Sequence, residues 1–307
     1  MRKAPIVLAI QLLLGTFGFA AVGLGVVVGL GHLSFGLPPA TALLEACRRL
    51  LPDLGVGSAV VLALGGLSLA VLVRTIASGV RRVRASRTVV RALEPFERRP
   101  VGGATVQVFR HASVLAFCAG LLSPRIYVST GTIAALDAAE LEAVVAHEQH
   151  HASKRDPLRV FVAGVVSDGL FFAPALRRLA DRYGALAELA ADQAAVRIHR
   201  DDPGPLASAL LAFERADPAV VGIAPERVDH LLGDAPRWNL PVALGAWGLM
   251  VIGGVAALAV LVEAAAQAPV NVPLLVAQSC MVVLIAVPMF IAAGGMLGRR
   301  RRASGSS

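Results

Sequence analysis

The chain has 307 residues, of which 56% are hydrophobic and only 16% are charged, and its mean hydropathy is +0.69. These values exclude an ordinary soluble globular protein and predict a membrane protein. The net charge of +8 could suggest nucleic acid as a partner. The basic residues cluster beside apolar stretches, however, which favours contact with the lipid bilayer and argues against direct binding of nucleic acid.

Uncharged apolar stretches dominate both ends of the chain. Four of them are long enough to cross about 30 Å of hydrocarbon. They lie near residues 5–31, 54–73, 240–262 and 273–297. A fifth apolar run, from Val160 to Leu176, is interrupted by Asp168 and Pro174. We expect this run to form a core or interfacial helix and not a membrane span.

The basic residues predict the orientation of the chain. Arginines follow the second and fourth stretches, whereas the connection between the last two stretches has no Lys or Arg. The positive-inside rule therefore predicts that both termini are cytoplasmic and that the loop 32–53 is external. The predicted domains are two membrane helices (1–73), a cytoplasmic domain (74–239), two further membrane helices (240–298) and a basic, disordered tail (299–307).

The predicted cytoplasmic domain begins with a basic helical pattern, residues 74–99, that continues the second membrane helix. Pro100–Gly103 interrupts it. Three strand-like runs follow, Ala104–Arg110, Ser113–Cys118 and Arg125–Ser129. An exposed strand within Ser113–Ser129 could hold an extended peptide, although a hairpin that only packs on the next helix is an equal alternative. The domain as a whole is predicted to be α+β.

A strongly predicted helix follows these strands. Asp137 and Glu140 form a capping-box pattern at its start, and neither glycine nor proline occurs after them until Pro157. This helix carries the sequence H-E-x-x-H at residues 147–151. It is the one stretch of the chain that indicates a particular chemistry.

The motif predicts a zinc site. His147 and His151 are four residues apart, so on a helix their imidazoles share a face and can bind one ion. Neutral imidazole suits Zn²⁺, and the carboxylate of Glu148 can act as the base that deprotonates a water molecule. His150 leaves a second histidine pair open, and metal binding without catalysis is an alternative.

A second predicted helix, Ala185–His199, supplies a candidate third ligand. Glu188 and Asp192 are also four residues apart and stand in an otherwise alanine- and leucine-rich run. Glu188 would complete a His₂Glu set, which leaves a fourth position for water. Asp192 could accept the outer N–H of a ligating imidazole and fix its tautomer.

Three segments resemble the integral-membrane zinc metallopeptidases of the BlaR/MecR antirepressor family. They are Pro124–Gly131, Glu140–His151 and Lys154–Leu158. The resemblance implies a zincin-like, gluzincin-type fold and one Zn²⁺ per chain, with His147, His151 and Glu188 as ligands and Glu148 as general base.

The same resemblance implies a bacterial cell-membrane endopeptidase that works in regulated signalling. Its protein substrate would be a transcriptional repressor, or the chain itself, cleaved on the cytoplasmic side. Family members that sense β-lactams carry an external penicillin-binding domain after the last span. Since this sequence ends at Ser307, we expect that sensor domain to be missing.

Two other interpretations remain open. The HtpX-type quality-control metalloproteases share both motifs, but they usually place membrane spans between them. A non-catalytic membrane sensor or scaffold could retain the zinc site, although it would have no need for Glu148. The donor that would stabilise the oxyanion is also open, with Tyr183, Arg197 and His199 as candidates by position.

Overall fold

A computed structural model describes residues 3–48, 56–93, 95–216, 227, 242–265, 270–280 and 287. The chain forms two compact units, residues 1–19 with 70–252 and residues 20–69 with 253–307. Three long helices contribute residues to both units: α1 (Lys3–Gly31), α3 (Val56–Ala92) and α9 (Val242–Ala265). A short helix, α2 (Ala40–Arg48), belongs to the second unit.

The three long helices are apolar and long enough to cross a membrane, over Lys3–Gly31, within Val56–Ala92 and over Gly245–Ala264. They confirm that the first three predicted stretches form helices of membrane-spanning length. Most of the fourth predicted stretch, 273–297, lies outside the described residues, as does the predicted tail 299–307; a helix is described at 272–280. The sidedness of the membrane helices stays a prediction.

The second unit pairs two very short strands. β1 (Leu33–Ser34) lies parallel to β6 (Val270–Asn271). Asn271 reinforces this contact because its Nδ2 donates to the Gly36 carbonyl at 2.9 Å and its Oδ1 accepts from the Leu274 N–H at 3.0 Å. The chain that follows α1 is thereby fixed to the chain that follows α9.

The first unit contains a four-stranded sheet. Its strands are β2 (Pro95–Val101), β3 (Ala104–Phe109), β4 (Ala116–Ala119) and β5 (Arg125–Ser129). The spatial order is β2-β3-β5-β4, in which β3 and β5 are parallel and the two other pairs are antiparallel. β2 and β4 are therefore the edges of the sheet.

The prediction of a helix over residues 74–99 was wrong at its end. α3 stops at Ala92, and Pro95 begins strand β2. Proline cannot continue a helix but is tolerated in an edge strand, where its missing N–H breaks no essential bond. Gly102 (φ 53°) and Gly103 (φ 79°) then form the turn to β3 in left-handed conformations that suit glycine.

Five helices follow strand β5 along the chain in the first unit. They are α4 (Thr130–Ala135), α5 (Ala138–Lys154), α6 (Asp156–Gly169), α7 (Pro174–Ile198) and α8 (Gly204–Ala216). α7 starts eleven residues before the predicted Ala185, with proline in its first turn. The apolar run Val160–Leu176 was expected to form one helix, but it is divided between the end of α6 and the start of α7 by a turn at Leu170–Ala173. It is not among the helices long and apolar enough to cross a membrane.

Helix α5 has the predicted cap and packs on the sheet. Asp137 Oδ1 accepts from the Glu140 N–H at 2.8 Å, and Glu140 Oε2 accepts from the Asp137 N–H at 2.9 Å. Buried side chains of α5 and of the two central strands form one apolar core: Leu141, Val144, Val145, Val106, Val108, Ile126 and Val128. Each such side chain contributes about 1.5–3 kcal/mol when fully buried, so the sheet holds the H-E-x-x-H helix firmly.

A buried glutamine of α1 joins the α6–α7 hairpin. Gln11 is fully buried, and its Nε2 lies 2.9 Å from the Ala163 carbonyl, 3.1 Å from Ser167 Oγ and 3.2 Å from the Leu176 carbonyl. The Ser167 hydroxyl lies within hydrogen-bonding distance of the same two carbonyls. Polar contacts therefore fix α1 to both arms of the hairpin within apolar surroundings.

Replacement of Gln11 by leucine should destabilise the protein while nearly preserving side-chain volume. The loss of these hydrogen bonds should lower the free energy of unfolding by about 1–3 kcal/mol and the thermal midpoint by a few degrees. Circular dichroism of the purified protein in detergent would measure the midpoint. Gln278→Leu, at a partly buried glutamine of the helix at 272–280, is the matched control. Equal midpoints for both variants would contradict this role of Gln11.

Candidate metal centre

Two buried histidines of α5 point their Nε2 atoms at the same place. His147 Nε2 and His151 Nε2 are 3.2 Å apart, and the two rings meet edge to face. The residues are four positions apart on one helix, which places them on a common face. This is the arrangement that the H-E-x-x-H spacing predicts.

Glu188 reaches the same place from α7. Its Oε2 lies 3.5 Å from His147 Nε2, and its Oε1 lies 3.5 Å from His151 Nε2. Two ligands that hold a tetrahedral zinc ion at about 2.0–2.1 Å are themselves about 3.4 Å apart, so the donor atoms have the spacing that zinc requires. Among the described residues, His147, His151 and Glu188 are the group of three that could hold a metal ion. His150 is not part of it.

Both imidazoles have a carboxylate at the outer nitrogen. His147 Nδ1 lies 2.9 Å from Asp192 Oδ1, and Asp192 is fully buried. His151 Nδ1 lies 2.9 Å from Asp156 Oδ2. Such carboxylates fix the ring orientation and raise the basicity of the ligating nitrogen. The sequence predicted Asp192 but gave Asp156 no role.

A left-handed residue places Asp156 beside His151. Arg155 has φ 54° and ψ 40°, and it separates the end of α5 from the start of α6. On an uninterrupted helix, positions five apart point about 140° away from each other, so the carboxylate of Asp156 could not have reached the ring of His151. The break at Arg155 makes the contact possible.

Tyr183 of α7 is committed to Asp156. Its hydroxyl donates to Asp156 Oδ1 at 2.7 Å, and the residue is 1% exposed. Burial and the neighbouring carboxylate raise the pKa of Tyr183, which keeps its hydroxyl protonated as a donor. Burial alone would raise the pKa of Asp156, but hydrogen bonds with His151 and Tyr183 outweigh it and lower this pKa.

The three oxyanion candidates are therefore not placed at the metal group. Tyr183 acts on Asp156, as described above. Arg197 and His199 stand at the end of α7, about 14 and 17 Å along the helix axis from Glu188.

Arg227 is a site residue that the sequence did not indicate. Its Nε and Nη2 donate to the two oxygens of Asp192 at 2.8 and 2.6 Å, and its Nη1 lies 3.5 Å from Glu188 Oε2. This two-point contact compensates a fully buried carboxylate. Burial raises the pKa of Asp192, but the contacts with His147 and Arg227 outweigh it and lower this pKa.

Glu148 lies beside the edge strand β4. The backbone N–H of Cys118 donates a hydrogen bond to its carboxylate. Burial is the largest effect on the carboxyl group and raises the pKa of Glu148, against the opposing influence of His147 and His151. A carboxylate with a raised pKa can both accept and return a proton near neutral pH. Glu148 is not part of the group of three potential ligands.

Replacement of Asp156 by asparagine should weaken zinc binding about 10- to 100-fold, because His151 would lose the carboxylate that fixes its ring. Competition with a chelator would measure the affinity. Asp181→Asn changes an exposed aspartate of α7 and is the matched control. Equal zinc affinities of the two variants would show that Asp156 does not support the site.

Zinc binding should depend on pH through His147. In the metal-free protein, burial lowers the pKa of His147, but contacts with Asp192 and Glu188 outweigh it and raise this pKa to about 9. Because zinc must displace that proton, its affinity should increase by up to about tenfold per unit between about pH 6.5 and about pH 8.5. Asp192→Asn should shift this rise to lower pH. The same chelator competition across this range tests both statements, and a flat profile for the wild type would refute the first.

A comparison with protein families agrees with this geometry. The family model described as BlaR1 peptidase M56 matches residues 57–224, which is more than half of the chain. The matched region includes α5 and α7, whereas Arg227 lies outside it. No curated protein and no solved structure matches the chain. The chain therefore belongs to the BlaR1 peptidase M56 family.

Proposed function

We propose that the chain is a zinc-dependent membrane endopeptidase in which His147, His151 and Glu188 hold the metal and Glu148 is the general base. One observation carries the proposal. Three donor atoms from two helices converge at the spacing of a zinc site, next to a carboxylate that is not one of the donors. A structural zinc site would close its fourth position with a further ligand, whereas a catalytic one leaves it open.

The chemistry of the donors supports zinc. Two imidazole nitrogens and one carboxylate form a set that is frequent at catalytic zinc. A zinc ion held there would polarise the scissile carbonyl and lower the pKa of water. Asp192 and Asp156 would keep the two imidazoles in the tautomer that presents Nε2 to the metal.

Glu148 would carry the proton. Its carboxylate takes a proton from the attacking water and gives it to the leaving amine, which requires a pKa near neutrality. Burial raises the pKa of Glu148 in the required direction. The Cys118 N–H holds the carboxylate beside β4 and so fixes the distance between the base and this strand.

Strand β4 would bind the substrate as an additional strand. It is an edge of the sheet and pairs with β5 on one side only. The Cys118 N–H points toward Glu148, and because N–H directions alternate along a strand, the Ala116 N–H points to the same side. An extended peptide that paired with this edge would pass in front of Glu148.

The family and the charge distribution support a proposal for the substrate class. We propose a protein substrate, a transcriptional repressor or the chain itself, cleaved on the cytoplasmic side in regulated signalling. The arginines after the apolar part of α3 support this side of the membrane. No helix of the fully described stretch from His151 to Glu188 is both long and apolar enough to cross a membrane, which favours this proposal over a quality-control protease of the HtpX type.

Replacement of Glu148 by glutamine should abolish cleavage and preserve the zinc content. Loss of a general base lowers the rate by at least about 100-fold, while the three ligands remain. The measurement is metal content together with cleavage of the chain itself or of a model polypeptide, in detergent. Glu97→Gln, at an exposed position of β2, is the matched control. Unchanged cleavage in the Glu148 variant would refute the assigned base, and zinc-loaded wild type without any cleavage would favour a non-catalytic sensor.

A further inference from the structure

The hairpin of α6 and α7 has an unusually apolar tip. Between Val160 and Leu176 the only ionisable side chain is Asp168. Val160 is 45% exposed and Phe171 is 41% exposed. Exposed apolar side chains indicate a nonpolar environment or a partner where they form part of a larger apolar surface.

Several polar groups of the tip have partners within the protein. Asp168 Oδ2 accepts from Ser78 Oγ at 2.6 Å and from Arg82 Nη2 at 2.9 Å. At the turn, the Leu170 N–H donates to the Val166 carbonyl and the Ala173 N–H donates to the Leu170 carbonyl. Backbone that is not helical is tolerated at membrane depth where it is buried in protein, and at this turn Leu170 and Ala173 are buried.

The tip packs directly on helices of membrane-spanning length. A Cβ atom added at Gly18 of α1 would lie 2.6 Å from Leu170 Cδ1, and one added at Gly15 would lie 2.6 Å from Val166 Cγ1. The same unit exposes further apolar side chains on α1, α3 and α9: Ile6, Leu13, Phe17, Ile76, Val80, Trp247, Leu249 and Met250. The tip therefore exposes apolar side chains of the same kind as those exposed by the helices of membrane-spanning length.

Arginines border the apolar tip. The Arg74 guanidinium stands 4.6 Å from the centre of the Phe171 ring, so this cation is compensated by the ring within the protein and does not itself mark the headgroups. Arg159 lies at the start of the apolar segment on α6, and the exposed Arg177 and Arg178 lie just after it on α7. Arginine side chains at the end of an apolar segment extend to lipid headgroups and favour anionic ones.

We propose that the tip of the α6–α7 hairpin is inserted into one leaflet of the lipid bilayer. Acyl chains cover Val160 and Phe171, and the arginines after Leu176 lie among the headgroups. From Val160 to Phe171 the chain rises about 16 Å along the helix axis, about half of the ~30 Å hydrocarbon thickness, so the hairpin enters one leaflet and does not cross.

The insertion has a consequence for the substrate, and this consequence rests on the proposed peptidase function. Asp156, which contacts His151, precedes Val160 by four residues, or about 6 Å along α6. The metal centre is then close to the membrane surface. Peptide bonds near the bilayer are accordingly the preferred targets.

The test is a depth measurement by spin labelling. The three native cysteines are replaced by alanine, and single cysteines are introduced as Phe171→Cys and, as the aqueous control, Leu122→Cys, which is 77% exposed in the turn between β4 and β5. The labelled full-length protein is reconstituted in phosphatidylcholine–phosphatidylglycerol vesicles. Collision rates of the nitroxide with oxygen and with a water-soluble nickel chelate are then compared.

We expect the label at position 171 to collide preferentially with oxygen and the label at position 122 to collide preferentially with the nickel chelate. Equal access of the chelate to both positions would overturn the insertion. A label at 171 shielded from both reagents, with spin coupling between chains, would show that a second copy covers the tip and would also overturn it. If the Phe171→Cys variant fails to fold, the label is placed on helix α6 through Val160→Cys. The measurement requires neither metal nor cleavage, so its failure leaves the proposed peptidase function intact.

Discussion

The contact between His151 and Asp156 is the interaction on which the first unit depends. His151 belongs to α5, which the apolar core holds on the sheet, and Asp156 is the first residue of α6. Tyr183 of α7 donates to the other oxygen of Asp156. One carboxylate thus joins three helices, and the third of them delivers Glu188 to the metal group. The contact between His147 and Asp192 links α5 directly to α7 as well, so two carboxylates hold α7 against the histidines.

The negative charge of the acidic groups at the site must be compensated by positive charge. The carboxylates of Glu148, Asp156, Glu188 and Asp192 crowd the same region, and Arg227 offsets only part of their charge. A buried charge must be compensated by a partner. A divalent ion would supply positive charge here, and in the metal-free protein a proton on His147 supplies part of it, because the contacts with Asp192 and Glu188 raise the pKa of His147. The same groups therefore stabilise the fold and tune the metal centre.

Local patterns in the sequence predicted the parts of the site that helical periodicity controls. His147 with His151, and Glu188 with Asp192, could be predicted because residues four apart share a face. Asp156 could not, because its position depends on a non-glycine residue with positive φ, Arg155, which no local pattern announces. The sequence also missed Arg227, which reaches Asp192 across 35 positions, and strand β2, whose prolines and charged residues obscure the alternation of a strand.

The contacts of α6 link the helices of the candidate metal centre to α1 and α3. Its first residue contacts a histidine of the metal group, while Ser167 near its end contacts Gln11 of α1 and Asp168 contacts Arg82 of α3. A fragment that began after α3 would leave the carboxylate of Asp168 without its guanidinium partner and would expose the face of α6 that packs on α1. The helices of the candidate metal centre are therefore stabilised by their contacts with α1 and α3.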